Sequence, residues 1–296
     1  NKEGNRFLRG DSIFYNKTLG YGEVFGNMFL QDTIKKAILI GNYGYYDDKI
    51  DYAMATDSAY CIEYSQGDSL FLHADTLMIQ MDSIYRDIRA YYGVRFYRSD
   101  IQGVCDSMQF HSRDSVLHLY KDPILWNKGN QLYGDTIDIF MNDSTVDYVH
   151  VKRYSFSIEQ KDSIHFNQLK GRSLKAFMDN GKLRRVLVEG NAESIFYPQE
   201  KDGFIIMHNW LQSGYMEMFF DDGKFEKMVG WPQPVAKATP LELLSTDKRR
   251  LEDFYWYDYL RPINKDDIFR DAKKKAGDIK PPRPAIFERA DEEEFE

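Results

Sequence analysis

The residues with the most suggestive chemistry are a serine, an aspartate and a histidine. Ser69 lies in the run Gly67-Asp68-Ser69-Leu70, where its hydroxyl could attack an acyl carbon. Asp147 and His150 have the Asp-x-x-His spacing that could orient a general base for such a hydroxyl. Taken alone, these three residues indicate hydrolysis of an acyl ester.

Other polar pairs are compatible with metal binding, but none is complete. His73 with Asp75, or His111 with His118, supplies two possible ligands without a second pair at ligand spacing. No glycine-rich loop between a strand and a helix is present to hold a phosphate. The sequence therefore predicts no metal site and no cofactor.

The composition excludes some partners and favours strands. The 296 residues carry a formal net charge of −8, whereas phosphate neutralisation on a nucleic acid requires a basic face. Tyr and Phe number 21 and 20, and such residues favour strands. No run of eighteen apolar residues occurs. We expect a β-rich protein without a nucleic-acid partner.

A short motif recurs along the chain and changes the interpretation of Ser69. Its pattern is a small residue, then Asp, then Ser or Thr, then alternating apolar residues. Since Ser69 has several equivalents, it is interpreted as the first residue of a strand, and no catalytic residue is predicted. The copies are GDSIFYN from Gly10, GDSLFLH from Gly67, ADTLMIQM from Ala74, CDSMQFHS from Cys105 and GDTIDIFMN from Gly134.

The later copies align without gaps and define an apolar face. GDTIDIFMNDSTVDYVHV (134–151) matches GRSLKAFMDNGKLRRVLV (171–188), and SGYMEMFFDDGKFEKMVG (213–230) continues the series. Apolar residues alternate with Asp138, Lys175 and Glu217, which predicts strands with one apolar and one wet face. The predicted inward, lipid-facing residues are Met108, Phe110, Ile137, Ile139, Met141, Leu174, Ala176, Met178, Met216, Met218 and Phe220.

Turn residues interrupt each copy at the same place. Residues 142–144, 179–181 and 221–223 read Asn-Asp-Ser, Asp-Asn-Gly and Asp-Asp-Gly. Asn-Gly and Asp-Gly are strong hairpin signals, so each copy is predicted to be a β-hairpin or β-arc. Such a unit buries its apolar face only by stacking on its neighbours.

These patterns predict an all-β protein: a repetitive antiparallel β-roll, or jellyroll-like solenoid, with a short C-terminal helix and a mobile tail. The array is predicted over 1–244. A helical cap is predicted over 245–262, because the apolar residues Leu251, Phe254, Tyr255 and Tyr259 share a helical stripe before Pro262. Residues 263–296 are charged and contain prolines, which favours a flexible tail.

The motif, together with DPILWNKGNQLYGDTI (122–137), resembles the OstA-like family, which is related to the lipopolysaccharide-transport proteins of the diderm envelope. The resemblance covers roughly residues 5–240. It implies curved antiparallel β-rolls that join end to end, and a non-enzymatic role in carrying lipopolysaccharide with its acyl chains shielded by the apolar interior. It also implies a periplasmic or outer-membrane-associated location.

The partners implied are therefore lipopolysaccharide or a related lipid, and edge-strand pairing with a second copy or with other envelope-transport proteins. Two alternatives stay open: a packed β-repeat scaffold that binds proteins, and an esterase using Ser69, Asp147 and His150. The sequence does not decide whether Cys61 and Cys105 pair. Because the first residue is Asn1, we expect that any signal peptide lies outside this sequence.

Overall fold

The protein is all-β, as the alternating pattern predicts. The computed structural model describes residues 5–65, 67–81, 84–142, 145–199 and 203–275. None of the helical turns in these ranges is long and apolar enough to cross a bilayer. The strands are β1 (Arg6–Arg9), β2 (Ser12–Asn16), β3 (Tyr21–Asp32), β4 (Ala37–Asp47), β5 (Tyr52–Glu63), β6 (Leu70–Met81), β7 (Arg86–Tyr97), β8 (Gln102–His111), β9 (Val116–Tyr120), β10 (Ile124–Asn127), β11 (Asn130–Tyr133), β12 (Thr136–Met141), β13 (Val146–Gln160), β14 (Phe166–Asp179), β15 (Lys182–Phe196), β16 (Met207–Asp221), β17 (Lys224–Trp231) and β18 (Val235–Pro240).

The strands form one antiparallel array in which sequence neighbours pair. Long strands run from β3 to β8 and from β13 to β16, each pairing with the next. Pairs of short strands take the place of a long one: β1 and β2 both pair with β3, and β17 and β18 both pair with β16. Between β8 and β13, four short strands take the place of long ones. β9 and β12 pair with each other beside one end of β8 and β13, and β10 and β11 pair with each other beside the other end.

A corner near the middle of each long strand folds this array onto itself. In β3 the register jumps from Phe25 to Met28, and in β15 it jumps from Glu189 to Ala192. Residues at these jumps have positive φ values, including 69° at Gly26 and 79° at Gly190. Such bulges bend a strand sharply. Two half-sheets result, and they face each other across an apolar interior.

The recurring sequence motif is explained by these corners. An added Cβ at Gly134 would lie 2.4 Å from Cγ1 of Val151, and one at Gly171 would lie 2.3 Å from Cγ1 of Val188. Ala74 occupies the equivalent place in β6 and is fully buried. The motif therefore begins with a small residue because the bent neighbouring strand comes too close there to leave room for a side chain. Gly67 differs, since nothing would lie within 4 Å of its Cβ.

The predicted hairpins are confirmed. Strands β14 and β15 join at Asn180 and Gly181, and β16 and β17 join at Asp222 and Gly223. All four turn residues have positive φ, which a type I′ turn requires. The hairpin of β12 and β13 also forms, although residues 143–144 of its predicted turn lie outside the described ranges.

The predicted helix over 245–262 is wrong, and an extended segment takes its place. We call residues 241–275 the strap. It contains short 3₁₀ turns at Leu241–Leu243, Thr246–Arg249, Asp258–Leu260 and Asp267–Phe269. It lies on the outer face of one half-sheet, where Leu251, Tyr257 and Leu260 are buried. We call this half the covered half-sheet and the other the bare half-sheet.

Side chains of the covered half-sheet bind the strap's backbone, which explains why it stays extended. The amide nitrogen of Gln131 donates to the Tyr255 carbonyl at 2.7 Å, and the amide oxygen of Gln131 accepts from the Tyr257 N–H at 2.8 Å. Gln168 makes the same pair of contacts with Arg249 and Leu251. These bonds satisfy backbone groups that a helix would otherwise pair internally.

The strap continues across the strands beyond the expected end of the cap. Arg95 donates to the Leu260 carbonyl at 3.0 Å, and the Phe269 ring lies 5.0 Å from the His73 ring. Ile268 is fully buried, so the described part of the predicted tail, 263–275, packs against the array. Residues 276–296 of that tail lie outside the described ranges.

Replacing Gln131 by Ala should weaken the strap and lower the free energy of unfolding by about 1–3 kcal/mol, because two strap backbone groups lose their buried partner. Urea denaturation measures this loss. Gln160→Ala is the matched control, since Gln160 is exposed at the end of β13, and its effect should stay within about 0.5 kcal/mol. Equal effects of the two changes would contradict the anchoring role of Gln131.

Stability should fall as the pH falls through the range where histidines titrate. His208 is 3% exposed near the backbone of Lys248 in the strap, and burial lowers its pKa below the usual value. The unfolded chain therefore binds the proton more readily, so stability is complete above about pH 6.5 and decreases below it. His208→Phe should reduce this decrease between about pH 7 and pH 5, measured by urea denaturation. If the loss of stability at low pH were the same in both proteins, the assignment to His208 would be wrong. Burial also lowers the pKa of His150, so His150 contributes to the pH dependence of stability in both proteins.

Candidate functional site

The predicted inward residues lie on one continuous interior surface. Directly opposed residues form an apolar row beside the corners of the bare half-sheet, running through Ile137, Val151, Leu174, Val188 and Met216 in successive strands. The same row continues in the other direction through Leu119, Met108, Ala90, Leu77 and Ala55. We call it the corner row. It crosses the array without a charged residue.

A second row runs parallel to the corner row and further from the corners. In the later copies it contains Ile139, Val149, Ala176, Val186 and Met218. On the earlier side it passes through Leu117, Phe110, Ile88 and Ile79. Met141, Met178 and Phe220 lie one step further out, beside the hairpin turns. Nine of the eleven predicted residues belong to one apolar cluster: Met108, Ile137, Ile139, Leu174 and Met216 are buried in it, and Met141, Ala176, Met218 and Phe220 pack against it. The contact of all eleven with lipid stays a prediction.

Burial decreases from the corner row towards the hairpin turns. Ile137, Leu174 and Met216 are at most 2% exposed, whereas Ala176 and Met218 are half-buried. We call the line where the turns of the two half-sheets meet the mouth. The side chains nearest the mouth therefore form its accessible apolar lining, and those at the corner form a dry base.

The covered half-sheet supplies the opposite wall. Its central row begins with Leu30, Leu39, Cys61, Leu72 and Phe96 and ends with Leu169, Ser194 and Leu211. Buried serines among the later strands make that part of the wall more polar than the bare half-sheet facing it. The wall contacts of an apolar ligand would therefore be strongest on the bare half-sheet.

The two walls touch each other in several places. The Phe196 ring lies 4.8 Å from the Phe225 ring, and Ser194 Oγ lies 3.8 Å from Met228 Sδ. At the other end, Arg6 reaches Asp51 across the mouth at 3.5 Å. Two surface pockets, of about 230 and 580 Å³, open elsewhere, and neither is lined by the predicted inward residues. In the described ranges the interior is thus filled by its own side chains.

The two cysteines are free thiols that point into this interior. Cys61 is half-buried in the central row of the covered half-sheet, and Cys105 is buried at the corner of β8. Burial raises the pKa of Cys61 to about 12 and also raises the pKa of Cys105. Neither thiol is activated as a nucleophile.

The structure does not assemble the esterase alternative. Ser69 precedes β6 at the free end of the covered half-sheet, whereas His150 lies on β13 in the bare half-sheet, about 24 Å away by strand spacing. His150 binds the Ser173 hydroxyl at 2.9 Å instead. Asp68 is occupied by Ser99, whose backbone N–H donates to it at 3.0 Å. Ser69 therefore lies immediately before β6, one residue from the strand start that the repeat predicts.

The His111 and His118 rings lie edge to face with their centres 6.2 Å apart, but each ring contacts a different carboxylate. His118 Nδ1 donates to Asp138 Oδ1 at 2.7 Å, and His111 Nδ1 lies 3.4 Å from Asp87 Oδ1. His73 contacts the Ala59 carbonyl at 2.9 Å. No group of three metal-ligating side chains occurs among the residues that the structure describes.

Asp138 corrects one expectation about the wet face. It points away from the interior, but it is only 1% exposed because His118 and Lys152 enclose its carboxylate, the latter at 2.5 Å. Asp138 lies directly opposite His118 across β9 and β12, a pairing that the alternation within a single strand does not reveal.

No family model matches this chain, and no curated protein matches it. Among solved structures it is similar to LptH from Pseudomonas aeruginosa, described as "the LptA homologous periplasmic component of the conserved lipopolysaccharide transport device". The identity is 10% and the TM-score is 0.35, and the similarity covers 40% of this chain and 83% of LptH. Similarity at this level carries no conclusion about function.

Alkylation of Cys61 should report on the mouth. With a pKa of about 12, its thiolate fraction at pH 8 is roughly a thousandfold below that of a free cysteine. We expect iodoacetamide to label Cys61 at least about a hundredfold more slowly in the folded protein than in urea, with Cys105 slower still. Mass spectrometry of the two peptides measures both rates. An engineered thiol at the exposed Ser65 is the control; equal rates at Cys61 and Ser65→Cys would contradict a closed interior.

Proposed function

We propose that this chain is a non-enzymatic cell-envelope protein that takes part in lipopolysaccharide transport or outer-membrane assembly, and that its interior shields acyl chains. The observation that carries the proposal is the uninterrupted pair of apolar rows along the bare half-sheet, with half-buried side chains at the mouth. A periplasmic or outer-membrane-associated location belongs to the same proposal.

The chemistry of these rows suits flexible hydrocarbon chains. They consist largely of aliphatic and methionine side chains, and methionine adapts its shape to irregular apolar ligands. Burial of each methylene contributes about 0.8 kcal/mol, so an acyl chain of ordinary length supplies enough energy to displace weaker contacts between the walls. Each row crosses successive strands of the array. A lipid could therefore bind at many positions along the rows instead of in one pocket.

The ends of the array supply a place for protein partners. β2 carries exposed Ile13 and Phe14, and the strands at the other end carry exposed Val229 and Val235. Terminal strands with exposed apolar side chains favour addition of a further strand. A second copy, or another envelope-transport protein, would extend the interior rows by pairing at these edges.

A packed scaffold is the second candidate, and one observation favours it. The walls contact each other through Phe196 with Phe225 and through Ser194 with Met228, so the interior is filled in the absence of lipid. In this alternative the apolar rows act only as a core, and the protein functions through its outer surfaces and edges.

Photocrosslinking separates the two candidates. A photoreactive residue at Ala176 or Met218, both half-buried in the second row, should form an adduct with labelled lipopolysaccharide in cells that make it. The same residue at the neighbouring Lys175 or Glu217 points outward and should form none. The adduct is identified by its mobility and by retention of the label after unbound lipid has been extracted under denaturing conditions.

Asp138 is unsuitable as the outward control because it is buried. Adducts at Ala176 and Met218 alone would support lipid carriage. Adducts at none of the four positions, in a protein that is folded and expressed, would favour the scaffold and overturn the transport proposal.

A further inference from the structure

A cationic pocket lies at the free end of the bare half-sheet, in a protein that is acidic as a whole. It has a volume of about 230 Å³ and is lined by Gln80, Tyr85, Arg86, Asp87, His111 and Arg113. Gln80, Asp87 and His111 oppose one another on β6, β7 and β8, while Arg113 comes from the following turn. Residues from three strands thus converge on one opening.

Its two arginines have no carboxylate partner among the described residues. Arg113 places its guanidinium 5.2 Å from the centre of the Tyr85 ring, and Arg86 makes no ion pair. Asp87 is the acid of the pocket, and it is already engaged by Arg89, by the Gln109 amide at 3.4 Å and by His111. The guanidinium groups of Arg86 and Arg113 are therefore available to an anion. The paired N–H donors of a guanidinium group match the spacing of two phosphate oxygens.

The pocket opens on the outer face of the bare half-sheet at its free end, because Gln80, Asp87 and His111 alternate with the inward Ile79, Ile88 and Phe110. Arg86, two residues from the inward Ile88, links the pocket to the mouth. Arg86 pairs with Met81 at the end of β6, and two residues further in, Ile88 pairs with Ile79 and Phe110 in the second row. Arg86 also lies close enough to Lys35 of the opposite half-sheet to lower the pKa of that amine, a smaller cause than burial. Arg86 and Lys35 therefore bring positive charge to the mouth where the apolar row begins, and Asp51 and Asp32 lie close to Lys35 on the opposite side.

We propose that Arg86 and Arg113 bind a phosphate group, and that in the working protein this phosphate is the headgroup of an amphiphile whose chains enter the interior beside Met81 and Phe110. The second half of this inference rests on the proposed function. Tyr85 supports the guanidinium of Arg113, and His111 adds a hydrogen-bond donor on the same side. The pocket gives the otherwise uniform rows a point where the polar end of a lipid is held.

The test compares three ligands with the full chain and two double variants. Dioctanoyl phosphatidic acid carries a phosphate and short chains, dioctanoylglycerol lacks the phosphate, and inorganic phosphate lacks the chains. One variant is Arg86→Gln with Arg113→Gln. The matched control is Arg172→Gln with Arg184→Gln, which removes the same charge from exposed positions on β14 and β15. Calorimetry measures lipid binding, and proton NMR of the His111 ring reports on inorganic phosphate.

We expect the pocket variant to bind phosphatidic acid about tenfold more weakly than the control variant, while both bind dioctanoylglycerol equally. Equal affinity of both variants for phosphatidic acid would overturn the pocket as its headgroup site. If the wild-type protein binds neither lipid but inorganic phosphate shifts the His111 signals, and the pocket variant abolishes that shift, the pocket stands as a site for free phosphate while the proposed function fails. Absence of any response to either phosphate ligand overturns the inference.

Discussion

The close packing of neighbouring strands at the corners is the constraint on which the rest of the structure depends. A flat array of these strands would expose one apolar face along its whole length. The two-residue bulges bend each strand, and the small residues Gly134, Gly171 and Ala74 leave room for the neighbouring strand at the bend. Valines such as Val151 and Val188 occupy the space that a side chain at those glycines would need. Burial of the interior follows directly from this geometry.

The strap makes the two half-sheets unequal. It adds a second core on the covered half-sheet, where Trp126, Tyr133, Phe156 and Tyr257 are buried. Gln131 and Gln168 each bind the strap's backbone through both the nitrogen and the oxygen of the side-chain amide. Polar side chains of the strands therefore hold the strap in place. The bare half-sheet keeps a charged outer face. A ligand therefore has access to the mouth and to the bare half-sheet, while the opposite outer face is occupied by the chain itself.

Much of the array could be predicted from the sequence because strand periodicity is local. Alternation placed Ile137, Leu174 and Met216 on the interior, and the turn at Asn180 and Gly181 set the register of the hairpin that contains Leu174. The motif was found as a repeat, but its structural reason was not, since the clash between a Cβ and a valine on the next strand is not visible in a single strand.

The strap could not be predicted in the same way. Leu251, Phe254, Tyr255 and Tyr259 lie on one helical stripe, yet an extended chain buries residues at those spacings equally well when a grooved apolar surface receives it. The decisive partners, Gln131 and Gln168, are polar residues more than eighty positions away, and nothing in the sequence next to them indicates contact with this segment. The buried Asp138 follows the same rule, because its burial depends on His118 and Lys152 from two other strands. Long-range polar contacts decided both outcomes.

The filled interior and the proposed carriage of lipid are compatible if the mouth opens while the corner stays closed. The corner row is held by backbone bulges and by contacts that leave no space for a side chain at Gly134 or Gly171, so it resists separation. Nearer the mouth the apolar contacts between the walls include Phe196 with Phe225 and Ser194 with Met228, and the Arg6–Asp51 ion pair lies at one end. An acyl chain would replace these contacts with contacts of the same kind, and the free energy needed to part the walls is offset by the methylenes that it buries. The folded sheet therefore combines a rigid corner row with a mouth whose wall contacts can be replaced by those of a ligand. The strap lies on the outer face of the covered half-sheet and does not obstruct the mouth.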